Sequence, residues 1–77
     1  MTLKIISAED ILFEGEVTSV TLPGSEGLFT VLHNHASLIS TLVSGDIRYV
    51  QDGHEVGVPV SGGLVNVDNN VVSVCIY

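Results

Sequence analysis

The sequence predicts an all-β fold, a single antiparallel β-sandwich of about eight to ten short strands filling residues 1–77 as one domain. Three observations lead there. Turn signals punctuate the chain at short intervals, at Pro23-Gly24, Ser44-Gly45-Asp46, Asp52-Gly53, Ser61-Gly62-Gly63 and Asp68-Asn69-Asn70. The segments between them alternate with the period of two that turns one face of a strand inward. Val, Ile and Leu dominate an apolar content of 45%, and no stretch carries apolar residues at helical spacing over three turns.

In chain order, Leu3 and Ile5 supply the inward residues of a first strand, and Thr18, Val20 and Leu22 mark another. Leu38 to Val43 is apolar on both sides, with Leu38 and Leu42 facing one way and Ile39, Thr41 and Val43 the other. That pattern predicts a strand covered twice, once by the opposite sheet and once by a partner or a neighbouring loop. Asp52-Gly53 between Ile47–Val50 and His54–Val60 reads as a tight hairpin, and Asn69-Asn70 between Leu64–Val67 and Val71–Ile76 as another, since both dipeptides tolerate positive φ. Cys75, the only cysteine, cannot form an internal disulfide and is expected as a small buried residue of the last strand.

Charge excludes several partners. Nine acidic residues against Lys4 and Arg48 give a net charge of −7, so phosphate backbones and anionic lipid surfaces are repelled and nucleic acid is not an expected ligand. Single-strand binding would also need a basic groove with stacking rings, and the chain offers only Phe13, Phe29, Tyr49 and Tyr77. The uncharged stretch from Gly27 to Gly45 is broken by Thr, His, Asn and Ser, so no membrane span is expected. The opening MTLKIISAED does not read as a secretory signal, and the chain is expected in the cytosol.

The most tempting chemical motif is His33-Asn34-His35, because two histidines two apart on a strand share a face and can reach one metal ion. His54 would be the third ligand of a small cupin-like enzyme. The plainer reading is a loop pair that packs and hydrogen-bonds, since the next acid after His35 is Asp46. Ser61 with His54 and Asp52 or Asp46 imitates a hydrolase triad, but the serine lacks the flanking glycines and following helix of a nucleophile elbow. Glu9, Asp10, Glu14 and Glu16 read as solvated charges. Gly24-Ser25-Glu26-Gly27 has neither the lysine of a phosphate loop nor dinucleotide spacing. Lys4 lies in a strand, not in a hairpin where a swinging arm would be attached. No catalytic, cofactor-binding or metal-binding residue is assigned.

The residues that fail as catalysts fall into an ordered series. Ile6-Ser7-Ala8-Glu9, Phe13-x-Gly15 with Val17, Gly24-Ser25-Glu26-Gly27, His35-Ala36-x-Leu38, Gly45-x-Ile47-Arg48 and Ser61-Gly62-Gly63 with a closing strand together resemble the epsilon subunits of F-type ATP synthases across nearly the whole chain. The resemblance implies a non-catalytic β-sandwich in the central stalk, joining the gamma subunit to the polar loops of the membrane c-ring and coupling ion-driven rotation to ATP synthesis. It places the chain peripherally at the cytoplasmic face of the bacterial inner membrane. It maps a gamma interface onto Ser7, His35, Ala36, Leu38 and Leu42, and a c-ring interface onto Glu26, Gly27 and Leu28. Departures from the pattern are Leu28 where an acid is frequent, His33-Asn34 where Pro-Gly is frequent, and Ser37 where proline is usual. Family members commonly continue into two inhibitory helices, and this chain is expected to act without them.

Overall fold

The computed structural model describes Met1–Tyr77. Nine strands follow one another without a helix: β1 (Thr2–Ile6), β2 (Ile11–Glu16), β3 (Ser19–Gly24), β4 (Gly27–Leu32), β5 (Leu38–Leu42), β6 (Gly45–Gln51), β7 (His54–Val60), β8 (Gly63–Asp68) and β9 (Val71–Ile76). The hydrogen-bond ladder runs β2-β1-β9-β8-β5-β3-β6-β7, with β4 on the other edge of β3. Between β5 and β3 it narrows to a single pair, Gly24 with Leu42. There the ladder folds over, making a five-stranded layer (β2-β1-β9-β8-β5) and a four-stranded layer (β4-β3-β6-β7) that pack face to face. No helix is present that could cross a membrane.

The core is where the alternation places it. Leu3 and Ile5 from β1, Val65 and Val67 from β8, and Val72 and Val74 from β9 meet Val20 and Leu22 from β3, Val31 from β4 and Ile47 and Tyr49 from β6 in one cluster. The Phe13 ring lies 4.3 Å from that of Tyr49 and ties β2 to the opposite layer. No charged or polar side chain is buried.

Both dipeptide hairpins form. Asp52 and Gly53 have φ of 51° and 77°, Asn69 and Asn70 of 52° and 62°, so both central residues of each turn are left-handed and match the twist of the flanking strands. The β3–β4 hairpin turns one step later than Pro23-Gly24. Both of those residues are buried in β3, and the turn is Ser25-Glu26, with the left-handed conformation taken by Gly27 at φ 123°.

Four features differ from the sequence reading. β2 and β4 join the predicted strands; short, half-exposed segments such as Ile11–Glu16 carry too weak an alternation to be read. β1 and β9 pair in parallel, the one parallel ladder in an otherwise antiparallel sandwich. Parallel neighbours need a long connection, and here the rest of the chain is that connection. No loop of this chain gives β5 a second cover: Leu42 is buried and Leu38 half-buried, but Ile39 and Val43 stand 72% and 46% exposed. Cys75 points out of β9 and is exposed, because Val74 and Ile76 hold the inward positions.

Candidate docking surfaces

The link from β4 to β5, His33 to Ser37, has no ladder of its own and is held from outside. Asn34 takes φ 63°, a conformation asparagine tolerates better than most side chains. Its backbone N–H donates to Asn70 Oδ1 at 2.7 Å, and Asn70 Nδ2 donates back to Asn34 Oδ1 at 3.1 Å. Ser37 Oγ donates to Asp68 Oδ1 at 2.8 Å. Within the loop the His35 N–H donates to the Leu32 carbonyl, and His35 Nδ1 sits 2.7 Å from the Ala36 carbonyl oxygen. The β8–β9 hairpin is therefore the post to which the His35 loop is tied.

Beside this loop a groove of about 400 Å³ opens between the start of β4 and the start of β5, walled by Glu26, Gly27, Leu28, Phe29, His35, Leu38 and Ile39 among others. It brings together residues the sequence had assigned to two separate contacts: Glu26, Gly27 and Leu28 on one wall, His35 and Leu38 on the other. Leu28 and Ile39 are 75% and 72% exposed, an unusual state for large aliphatic side chains facing one groove. Ala36 is exposed on the loop.

Ser7 and Leu42 do not join them. Ser7 closes the β1–β2 turn, its hydroxyl accepting from the Asp10 N–H at 3.2 Å. The register puts it at the opposite end of the five-stranded layer from His35, because Ile6 pairs with Cys75 whereas Leu38 pairs with Val67 and Val67 with Val72. Leu42 is 4% exposed and belongs to the core, so its side chain offers no surface to a partner.

The histidines do not converge either. His33 follows β4 and His54 opens β7, and the row Leu32–Ser19–Val50–Glu55 sets those positions three strands apart, roughly 14 Å. No three His, Cys, Asp or Glu side chains come together anywhere in the chain. The cupin-like arrangement of His33, His35 and His54 is therefore not formed. Ser61 has no base within a hydrogen bond, and Gly63 is demanded by packing: a Cβ there would run into the Cys75 carbonyl.

What the sequence reading missed is the support and a further surface. Asn34, Asn70, Ser37 and Asp68 position the His35 loop; Asn69-Asn70 was legible as a turn, but a side-chain contact spanning 36 residues was not. The outward row of the five-stranded layer, Ile6, Ile11, Leu64 and Cys75, was not read as a surface either, Cys75 having been expected inside.

Comparison with known proteins places these features among relatives. Residues 1–76 match the family described as the ATP synthase, Delta/Epsilon chain, beta-sandwich domain. The chain is 40% identical over 74 residues to the ATP synthase epsilon chain of Leptospira borgpetersenii serovar Hardjo-bovis (strain JB197), covering 96% of this chain and 58% of that one. It is 46% identical over 69 residues to that of Sulfurovum sp. (strain NBC37-1), covering 88% and 54%. The chain thus spans little more than half the length of these curated relatives. Its fold matches a chain in the Euglena gracilis mitochondrial ATP synthase (OSCP/F1/c-ring) with a TM-score of 0.89 at 23% identity, over 96% of this chain and 48% of that one. A chain in the Tetrahymena thermophila mitochondrial ATP synthase central stalk and c-ring matches at 0.83 and 13% identity, over 97% and 61%.

Proposed function

The chain belongs to the ATP synthase delta/epsilon β-sandwich family, and from that premise we propose that it is a non-catalytic central-stalk subunit of an F-type ATP synthase, binding the gamma subunit and the polar loops of the c-ring. The match across residues 1–76 carries this reading. Residues 1–77 act in it as one domain at the cytoplasmic face of a bacterial inner membrane, attached through the complex.

The role is mechanical. Ion flow turns the ring, and the sandwich transmits torque between ring and gamma without itself doing chemistry. A rigid, fully apolar core suits that task, because a close-packed interior transmits strain. The β4–β5 groove supports a joint contact: Glu26, Gly27 and Leu28 on the hairpin side meet the ring, while His35, Ala36 and Leu38 on the loop side meet gamma, with Ser7 touching gamma at a distance from them. Leu42 contributes from beneath, by holding β5 in place. None of the 77 residues is helical, so inhibition through an inserted helix is not among the actions they supply.

Co-elution with a recombinant gamma subunit on gel filtration tests the reading. A stoichiometric complex that survives a chelator is the expected result. Failure to co-elute with gamma, either alone or within a catalytic complex stripped of epsilon, would overturn it.

A further inference from the structure

Three strands of the sandwich lack a neighbour on one side: β2, β4 and β7. Such edges invite pairing with another chain unless charge, proline or a capping group blunts them. Two of the three are blunted. β2 carries Glu14 and Glu16 along its edge, and the Glu16 carbonyl accepts from Gln51 Nε2 at 3.1 Å. β7 carries Glu55 and Pro59, whose ring nitrogen has no hydrogen to donate. β4, Gly27–Leu32, has neither charge nor proline.

The register shows which β4 groups are free. The Val43 N–H donates to the Pro23 carbonyl, so Pro23 turns its backbone away from β4, and Leu28 opposite it turns away from β3. Thr30 and Leu32 point the same way by the period of two. The Leu32 carbonyl takes the His35 N–H, but the N–H and C=O groups of Leu28 and Thr30 have no partner within the chain. Their side chains lie on the outer face of the four-stranded layer, with Leu28 and Leu32 75% and 57% exposed on either side of Thr30.

This Leu-Thr-Leu row reads the same from both ends. We infer that two copies of the chain pair β4 to β4, antiparallel about Thr30, and so join their four-stranded layers into one continuous sheet. Symmetry selects this occupant. When identical strands pair antiparallel about Thr30, Thr30 faces Thr30, and Leu28 of each copy faces Leu32 of the other. These are the residues whose ladder groups point outward, so hydrogen bonding and side-chain register agree. The Leu-Leu pairs cover side chains otherwise left in water. No acid is set against an acid, because Glu26 falls opposite Asn34. The net charge of −7 on each copy acts from farther off and is screened beyond about 8 Å at physiological salt. Leu28 also walls the β4–β5 groove, so the pairing closes that wall and a copy docked on the stalk is unpaired. This last consequence alone rests on the stalk reading.

The test uses the full 77-residue chain over a range of concentrations. Sedimentation should show a monomer–dimer equilibrium that added salt strengthens, since the contact holds no ion pair. The Leu28 and Thr30 amides should exchange with solvent more slowly as the dimer fills, while the outward amides of Glu14 on β2 and Gly57 on β7 stay fast. Thr30→Pro removes an N–H that the monomer does not use, and Thr30→Lys sets like charges face to face. Each should weaken the dimer at least about tenfold and leave the melting temperature within a few degrees. A chain still monomeric at about 1 mM with fast Leu28 and Thr30 amides, a dimer that protects Glu14 or Gly57 instead, or a dimer indifferent to both Thr30 variants would each overturn the inference. Pairing as described together with failure of gamma co-elution would count against the stalk reading alone.

Discussion

Asn34 and Asn70 stand 36 residues apart and hold each other through two hydrogen bonds, the Asn34 backbone N–H to Asn70 Oδ1 and Asn70 Nδ2 to Asn34 Oδ1. Both residues are left-handed, with φ of 63° and 62°. Each asparagine does two things at once: it accepts a backbone shape most side chains resist, and it uses its amide to join the His35 loop to the β8–β9 hairpin. Two substitutions separate those roles. Asn70→Gly keeps the conformation and loses the amide, and should cost about 1 kcal/mol; Asn70→Ala loses both and should cost about 2–3 kcal/mol. Chemical denaturation measures both. If the loop presents His35 to gamma, Asn70→Gly should also weaken gamma binding more than its small loss of stability explains.

Leu42 and Ile39 sit three residues apart on β5 and answer different questions. Leu42 is core, so Leu42→Ala should cost about 2–5 kcal/mol, and loss of gamma binding by Leu42→Asp would report unfolding. Ile39 is exposed at the groove, and Ile39→Asp should leave the melting temperature within a few degrees while reducing gamma co-elution. Unchanged co-elution would remove the β5 wall from the gamma contact.

Gly63 and Gly27 make a second contrast. At Gly63 a Cβ collides with the Cys75 carbonyl, backbone that cannot move without parting β8 from β9, so Gly63→Ala should lower stability by about 3 kcal/mol or more. At Gly27 the space is open and only the left-handed φ of 123° resists, so Gly27→Ala should cost about 1–2 kcal/mol. Equal losses at the two sites would refute this division between steric and conformational cost.

Glu16 supplies a pH test. The Thr2 hydroxyl donates to its Oε1 at 2.7 Å, and the Met1 ammonium lies 3.2 Å from Oε2; together they hold the carboxyl below its usual range. A carboxyl whose folded pKa is depressed stabilises the fold above its unfolded pKa and loses that contribution as pH falls through the folded value. Thr2→Val should therefore lower the melting temperature slightly at neutral pH. The gap should close as pH drops below about 4. A gap that persists at strongly acid pH would assign the loss to β1 packing instead.

Much of the fold was legible because its signals are local. A period of two over Leu3-Ile5 or Val72-Val74-Ile76 needs only the residues themselves, and Asp52-Gly53 and Asn69-Asn70 state their turn type through tolerance of positive φ. The ordered motifs also named the family, because several of them, such as Gly24-Ser25-Glu26-Gly27 and Ser61-Gly62-Gly63, lie at turns where backbone geometry restricts the residue allowed. The candidate interface residues were read one by one, without any signal that some of them would be neighbours. Glu26, Leu28, His35 and Leu38 were proposed from the motifs, while their meeting in one groove depends on how the β4 and β5 edges face each other.

What the sequence by itself determined, then, is the class of fold, the inward face of most strands, the two tight hairpins and the family. Only the tertiary structure decided that β1 lies parallel to β9, that Leu42 is core while Ile39 is surface, that Cys75 faces out, that Ser7 and His35 occupy opposite ends of a layer, and that three histidines stay apart. The physical reason is common to all of these. Alternation tells which side chains share a face of a strand, but which strands become neighbours, and what covers each face, is set by pairings between residues far apart in the chain, to which no local pattern bears witness.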